Sequence, residues 1–454
     1  MKTPTPTKAE PGGELVPLYI QLANMYVPSW GYGGPVRIMF DYARWMSGDF
    51  CVEVFTGDLH HDFTRMPVGS ESIDGVLVHR HKVFFQGLVK RSFYWHSPLM
   101  CLRAAQRIRA SRGPAIVHFS DFRGAVAVYA MLLKLLFSKR VKLVHSAFGS
   151  LYLKRSFRRW VYDALFMKAF LRLVDLRLVQ NEHEYEAYRE TCSDYGSETS
   201  SETVLLPLHL NDIPFDSTRF TGSGKNQNAV KHVRKANRIP EEALVFLFLG
   251  RLHRSKGILR TIDAFVEFSR SCSRETLLLL VGRDDGFQAS IEEHISEKGL
   301  AEKVRIVNNV YENRFDYYFL ADVVLGFPTI YEETMLSSVE AMACGTPLIV
   351  SREADVPYVV EEGAGLVIDF DVRKAAEAMA VVVQDLSAFQ VNARSVATRH
   401  FGGAAASKKL SALFRMAMAG NHAPGSLAEL EVLEQESPDQ ESEVERASSV
   451  ASGE

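Results

Sequence analysis

Tyr331 to Thr346 reads YEETMLSSVEAMACGT and sets two carboxylates, Glu332 and Glu340, eight positions apart across the start of a predicted helix. Thr334 supplies an N-cap, apolar residues recur at helical spacing after it, and Gly345 followed by Pro347 supplies the stop. A short apolar run precedes the helix (Asp322 to Phe327, DVVLGF) and another follows it (Leu348 to Ser351, LIVS), so the unit reads strand, loop, helix, strand. In an open parallel sheet ligands sit beyond the carboxyl ends of the strands, where free helix amides and the helix dipole favour an anion. Glu332 edges that crevice in this reading, and Glu340 enters two turns later. Two carboxylates repel an anion, so they are read as acceptors for hydroxyl groups, with cations supplied from elsewhere.

Those cations stand about eighty residues earlier. Val245 to Gly250 (VFLFLG) is a buried-strand pattern that runs into Arg251, Leu252, His253, Arg254, Ser255, Lys256 and Gly257 before a helical segment, ILRTIDAFVEF. A strand, a basic loop and a helix start together make a phosphate-binding layout. Alone, such a loop is more often simply solvated; beside the Glu pair it gains meaning.

The remainder of the chain organises around these blocks. At 454 residues it exceeds one core and divides into two domains of about 200 residues. Residues 1–16 form a polar tail predicted to be disordered. The first domain spans 17–216, with strands expected at Leu18 to Asn24, Cys51 to Phe55, Val76 to Val78, Ile116 to Phe119, Leu143 to Ser146 and Leu176 to Val179. A loop with Gly31, Gly33 and Gly34 follows the first strand, and Pro35 sits in the first turn of the next helix. Residues 217–238 read as a linker, and 239–420 as the second domain, with strands near 245, 277, 304, 323, 348 and 366 and a final helix that can cross back to the first domain. The tail 421–454 holds nine acids and one Arg and is expected to be disordered. The class is α/β, two doubly wound Rossmann-like domains facing each other across a cleft. Five cysteines without close spacing indicate neither a disulfide framework nor a zinc site and favour a reducing cytosol. No signal peptide opens the sequence, and the longest apolar runs are too short to span a bilayer.

These motifs resemble the GT-B fold glycosyltransferases of sequence family 4, retaining enzymes that use nucleotide-diphosphate sugars. FLGRLHRSKG is similar to the family's G-R-x4-K-G element, which implies that Arg251 and Lys256 hold the donor diphosphate. YEETMLSSVEAMACGTPLIVS is similar to its Glu-x7-Glu motif, which implies Glu332 at the reacting sugar and Glu340 on the ribose. YVPSWGYGGPVR, residues 26–37, resembles the glycine-rich loop after the first strand, bringing Gly33 and Gly34 into the donor set. The resemblance covers residues 17 to 418, and it implies no cofactor and no metal, the sugar nucleotide being a substrate. Three departures stand out. Glu333, Thr334 and Met335 replace the usual Gly-Phe-Gly, leaving Thr334 and the amides of Met335 and Leu336 to bind the sugar nucleotide; Phe148, an acceptor-side candidate, precedes Gly149 where relatives carry His or Arg, with His145 the nearest imidazole and the catalytic candidate of that domain; and Pro207, Leu208 and His209 replace Pro-Asn-Gly.

Charge is segregated. Between Gly75 and Gln180 stand 20 Lys plus Arg and three acids, although the whole chain has a net charge of −3. Lys154 to Arg177 interleaves cations with Trp160, Phe166 and Phe170, which suits either a helix resting on an anionic bilayer or a core helix with a basic outer face. No nucleic-acid recognition module is visible. His118 at a strand end reads as an acceptor-site group or a packed strand residue. Arg37 reads as an acceptor or phosphate ligand or as a helix-surface salt bridge, and Asp284 as a helix cap. The sequence as a whole reads as a cytosolic glycosyltransferase, peripheral at the inner face of a membrane, that moves a hexose-type sugar with retention to a lipid-linked or polysaccharide acceptor. The competing reading is a non-catalytic scaffold of the same fold that binds sugar nucleotide or membrane.

Overall fold

A computed structural model describes residues 16–32, 34–87, 96–149, 151, 157–196, 202–210, 225–308, 310, 313–332, 336–354 and 356–420. The chain divides into two units: residues 1–206 with 404–454, and residues 207–403. Each is an α/β unit around its own sheet.

Unit 1 runs β1 (Leu18–Ala23), α1 (Gly34–Met46), β2 (Cys51–Gly57), β3 (Gly69–Ile73), β4 (Val76–His81), α2 (Pro98–Ala110), β5 (Ala115–Phe119), α3 (Ala125–Leu136), β6 (Val141–Ser146), α4 (Phe157–Tyr162), a π-helical turn at Asp163–Met167, α5 (Lys168–Leu173), β7 (Leu176–Val179), α6 (Glu182–Asp194) and β8 (Glu202–Leu205). Its eight strands order as β3-β4-β2-β1-β5-β6-β7-β8, parallel throughout except for the antiparallel edge pair β3 and β4. Both faces of a parallel sheet must be covered. Leu18, Ile20 and Leu22 of β1 face a core built with Met100, Ala104 and Ile108 of α2, the inner side of α3, and Phe170 and Leu171 of α5. On the other face Gln21 Nε2 donates to the Met39 carbonyl of α1 at 2.7 Å. The last helix, α14 (Gly403–Ala419), also belongs here: Phe414 packs against Tyr19, Phe50 and His118, and Ser411 donates to Asp49 at 2.5 Å.

Unit 2 runs α7 (Lys225–Ala236), β9 (Leu244–Leu249), α8 (Ile258–Ser271), β10 (Thr276–Val281), α9 (Gln288–Glu297), β11 (Val304–Val307), α10 (Arg314–Leu320), β12 (Val323–Gly326), α11 (Leu336–Ala343), β13 (Leu348–Ser351), β14 (Gly365–Ile368), α12 (Val372–Gln384) and α13 (Leu386–His400). Its strand order is β11-β10-β9-β12-β13-β14, all parallel. The unbroken apolar runs VFLFL and TLLLLV exist because successive side chains serve opposite cores. Val245, Leu247, Leu277 and Leu279 face one, with α10, α11 and α13; Phe246, Phe248, Leu278 and Leu280 face the other, with α8 and α12.

Three differences from the sequence reading have clear causes. β3 (GSESI) is polar and largely exposed, so it carries no hydrophobic signal and pairs only as an edge. Part of the expected linker 217–238 is helix α7, held by the packing of Val233 into the unit 2 core rather than by its own propensity. The strand β8 lies just past a polar, Ser-rich stretch that reads as loop, and it is recruited by pairing with β7.

Candidate active site

In unit 2 the chain lays β9, β10 and β11 outward in one direction, then returns to place β12 on the other side of β9, with Val323 opposite Phe246 and Val324 opposite Leu247. The connections leaving β9 and β12 therefore diverge and open a crevice at their carboxyl ends, the place where open α/β sheets bind ligands. The basic loop follows β9 and the first Glu follows β12.

The two loops interlock. Gly257 ends the basic loop at φ +65° and opens α8; a Cβ there would lie 1.7 Å from the Phe327 carbonyl oxygen, so only glycine permits the approach. Thr329 N–H donates to the Ser255 carbonyl at 2.8 Å, and Arg260 donates to the Pro328 carbonyl at 3.0 Å. Across this seam the Lys256 ammonium donates to Glu332 Oε2, while the Glu332 amide donates to the Glu353 carbonyl at 2.7 Å. Lys256 keeps 21% of its side chain exposed and Glu332 11%. Three ammonium hydrogens are available and Glu332 takes one, so Lys256 retains capacity for an anion. Arg251 lies at the mouth, pairing with Asp285 at 2.8 Å. The Asp284 carboxylate accepts from the amides of Gly286, Phe287 and Gln288, each at 3.0 Å, and these bonds hold its pKa below the usual value; it ties the turn that leads into α9.

Glu340 is buried on α11, whose end is closed by Gly345 at φ +73° with Gly345 N–H on Met342 and Thr346 N–H on Ala341. Arg314 grips one carboxylate oxygen with Nε at 2.9 Å and a terminal nitrogen at 2.8 Å, and Tyr318 donates to the other at 3.1 Å. Arg314 and Tyr318 have no counterpart in the sequence reading. They lie one turn apart on α10, an i, i+4 pair aimed at one acid, and only the packing of α10 on α11 reveals it. Leu336 is the first residue of α11; Thr334 and Met335 lie outside the described residues, as does Gly33.

Unit 1 distributes its candidates differently. Gly34 opens α1, and Arg37 on its first turn pairs with Asp41 at 3.5 Å and lies over the Trp30 ring at 5.4 Å. His118 is fully buried, its ring bridging Tyr19 and the Ser146 hydroxyl at 2.9 Å each, and burial pushes its pKa down to about 3. His145 is also fully buried, bonded through Nδ1 to the Tyr188 hydroxyl and surrounded by Phe119, Phe122 and Phe170; burial holds it neutral. As placed, neither ring presents an atom to a ligand. After β6 the chain turns through Phe148 at φ +46° and Gly149 at φ +75°, and the Gly149 amide donates to Glu184 at 3.0 Å. Glu184 also accepts from Gln180 N–H at 2.9 Å; burial raises its pKa to about 7 against the pull of those two amides. Its role as a clamp joining the turns after β6 and β7 is invisible in the sequence, where it is one acid among several on α6.

Among the described residues no cluster of three or more His, Cys, Asp or Glu side chains is arranged to hold a metal, and no helix is long and apolar enough to cross a membrane.

Two α/β units, one with an interlocked pair of loops at its strand reversal, define the GT-B architecture. Solved structures agree: a sucrose-phosphate synthase from Thermosynechococcus elongatus superposes with TM-score 0.66 at 20% identity over 89% of this chain and 100% of that one. Anabaena HepE, crystallised in complex with UDP, gives 0.65 at 15% identity over 88% and 99%. At these identities the likeness shows the fold. Residues 230–395 match the family of glycosyl transferases group 1, and that part of unit 2 is a domain of the group 1 family. Among curated proteins the chain is similar to a D-inositol 3-phosphate glycosyltransferase of Thermobifida fusca, 26% identical over 209 residues, 44% of this chain and 45% of that protein. The corresponding protein of Corynebacterium diphtheriae is 30% identical over 187 residues, 38% and 43%. The chain spans less than half the length of these two relatives.

Proposed function

We propose that the chain is a retaining glycosyltransferase that takes a hexose-type sugar from a nucleotide-diphosphate donor and passes it to a lipid-linked or polysaccharide acceptor at the cytoplasmic face of a membrane. One observation carries the reading: at the unit 2 strand reversal, two loops from distant parts of the chain bring the Lys256 ammonium and the Glu332 carboxylate into contact. A cation for a diphosphate and an acceptor for sugar hydroxyls thereby stand side by side.

Transfer breaks the bond from the anomeric carbon to the diphosphate oxygen, leaving an electron pair on the diphosphate and positive character on the sugar, while the acceptor hydroxyl forms the new bond. Lys256, Arg251 and the amides opening α11 take the negative charge that grows on the leaving group, a preorganised electrostatic contribution of the kind that dominates such catalysis. Glu332 accepts from the transferred sugar. Glu340, fixed by Arg314 and Tyr318, accepts from the ribose on its remaining lone pairs. No metal is needed in this account. Unit 1 serves the acceptor, through the loop ending at Gly34 and Arg37 and the turn at Phe148. The family match over residues 230–395 supports the donor half; the curated relatives, whose names specify an inositol phosphate acceptor, share too little length to carry the acceptor half.

Calorimetry of the full chain with UDP, GDP and ADP, each paired with Lys256→Ala, tests the reading. The matching nucleotide at 100 times its dissociation constant should stabilise the fold by about 2.7 kcal/mol, and Lys256→Ala should abolish most of that gain. No binding of any nucleoside diphosphate would overturn it. Binding with no transfer to any acceptor, unaffected by Glu332→Gln, would leave the scaffold.

A further inference from the structure

We infer that the outer surface of the helical layer α2, α3 and α5 in unit 1 is a docking face for an anionic lipid bilayer, an inference that rests on the reading above that the acceptor is met at a membrane. The layer covers one face of the sheet, with its inward residues in the core already described. Its outward residues should be polar if the layer simply faced water. They are not. Leu99 and Leu102 on α2, Leu132, Leu135 and Leu136 on α3, and Leu165 in the π-helical turn are all exposed, Leu135 at 62% and Leu136 at 68%. The spacings i, i+3 and i, i+3, i+4 put each set on one stripe of its helix, and the helices are neighbours. Of 16 large hydrophobic residues exposed among the described residues, eight lie between Leu99 and Leu165, and four in all of unit 2. The apolar surface is therefore concentrated, which marks an interaction site rather than ordinary scatter.

Charge selects the occupant. Exposed cations accompany the leucines: Arg103 and Arg109 on α2, Lys139 just after α3, Lys168 and Arg172 on α5. The three acids of the stretch Gly75 to Gln180 are all engaged internally. Asp163 is buried in a two-pronged pair with Arg123 at 2.7 and 3.1 Å; Asp175 receives Lys134 at 2.7 and 2.9 Å; Asp121 accepts from Val126 N–H of α3 at 3.3 Å. Among the described residues these helices expose no carboxylate. Leucines accompanied by cations, with no exposed carboxylate on their own helices, fit a bilayer that offers acyl chains beneath anionic headgroups; the exposed acids Glu190 and Asp194 of the same sheet face stand on α6. Trp160 on α4, 59% exposed, is a side chain that favours the same boundary. The basic stretch Lys154 to Arg177 is only one margin of this face; Lys154, Arg155 and the side chains of Arg158 and Arg159 lie outside the described residues.

The test is flotation of the full chain with vesicles of phosphatidylcholine alone and with about one third phosphatidylglycerol. The wild type should float with the anionic vesicles only, and the more weakly the higher the salt, as the screening length drops below about 8 Å. The pair Leu135→Ser with Leu136→Ser, and separately Arg103→Glu with Lys139→Glu, should each reduce partitioning roughly tenfold or more. These positions are exposed, so folding should be unaffected; Val381→Ser in unit 2 is the matched control and should float as the wild type. Nucleotide affinity, measured on the same preparations, should be the same in all of them. Flotation of both double variants like the wild type, or of the wild type with neither vesicle, overturns the face while leaving the donor site standing. Reversible self-association lost in the leucine variants, without vesicle binding, overturns it in favour of a second copy of the chain. Vesicle binding as described with no nucleotide binding supports the face and removes the transferase reading instead.

Discussion

At the carboxyl ends of β9 and β12 the charged side chains of unit 2 stay near the surface and pair across two loops, whereas around the corresponding reversal of unit 1, between β1 and β5, the imidazoles on neighbouring strands are drawn into the core. Lys256 and Glu332 keep part of their surface and carry opposite charge. His118 and His145 keep none and are neutral, because the free energy of burying an imidazolium has driven both pKa values down. A parallel sheet offers a crevice wherever its strand order reverses, and the side chains that the loops return to solvent decide whether that crevice can bind a charged ligand. Unit 1 has instead spent its outward chemistry on the leucines and cations of its helical layer.

The largest effect that would break this comparison is at Gly257. Gly257→Ala should destabilise unit 2 by roughly 3 kcal/mol, combining a left-handed backbone with a side chain driven into the Phe327 carbonyl, and a denaturant titration would show it. An unchanged midpoint would mean the two loops are not held as described. Next come the cations: Lys256→Ala should weaken nucleoside-diphosphate binding by roughly 1.5 to 3 kcal/mol, and Arg251→Ala by less because it is about half exposed. Equal calorimetric affinity in wild type and both variants would move the donor site elsewhere.

The carboxylates sharpen the contrast further. Glu332→Gln should lower turnover more than nucleotide affinity, whereas Glu340→Gln and Arg314→Met should chiefly weaken nucleoside binding, because both disturb the same fixed carboxylate. Should Arg314→Met leave the affinity intact, the α10 grip on Glu340 would be structural only. For unit 1, His118→Leu should cost stability by about 1 kcal/mol through its lost bonds to Tyr19 and Ser146, with nucleotide affinity unaltered; altered affinity would show that this core reports to the donor site.

The last effect is a slope. The pKa of Glu184 is raised by burial from 4.5 to about 7, so the folded state holds its proton through a range where the unfolded chain has released it. The stability this contributes is complete below 4.5 and is lost as pH rises through about 7. Glu184→Gln cannot ionise and should flatten that decline, read as urea midpoints across the interval; an unflattened curve would assign the slope to another group.

The strand runs were legible because a strand buried on both faces needs consecutive large apolar residues, and VFLFL or TLLLL admits few other uses. The basic loop and the paired Glu were legible as a candidate donor site because both follow such strands. Arg314 was not, since a cation 26 positions before its partner carries no local pattern. The leucine stripe of α3 was equally opaque: AVAVYAMLLKLL is apolar around most of its circumference, and periodicity cannot say which leucines turn inward. The burial of His118 and His145 was hidden for a related reason. Each ends a strand where a ligand group would stand, yet exposure at a strand end depends on the helices packed over it, here α14 and α6.

By itself the sequence determined the α/β class, the buried strands of both units, the helix stop at Gly345 and the residue types of a candidate donor site, because these follow from local patterns of apolar, polar and glycine residues. Tertiary structure alone decided that Lys256 meets Glu332 across 76 positions, that 225–236 folds as a helix and that two histidines are interior. The physical reason is that burial and charge pairing are properties of neighbours in space, and the loops and helices that bring those neighbours together are chosen by the packing of the whole unit.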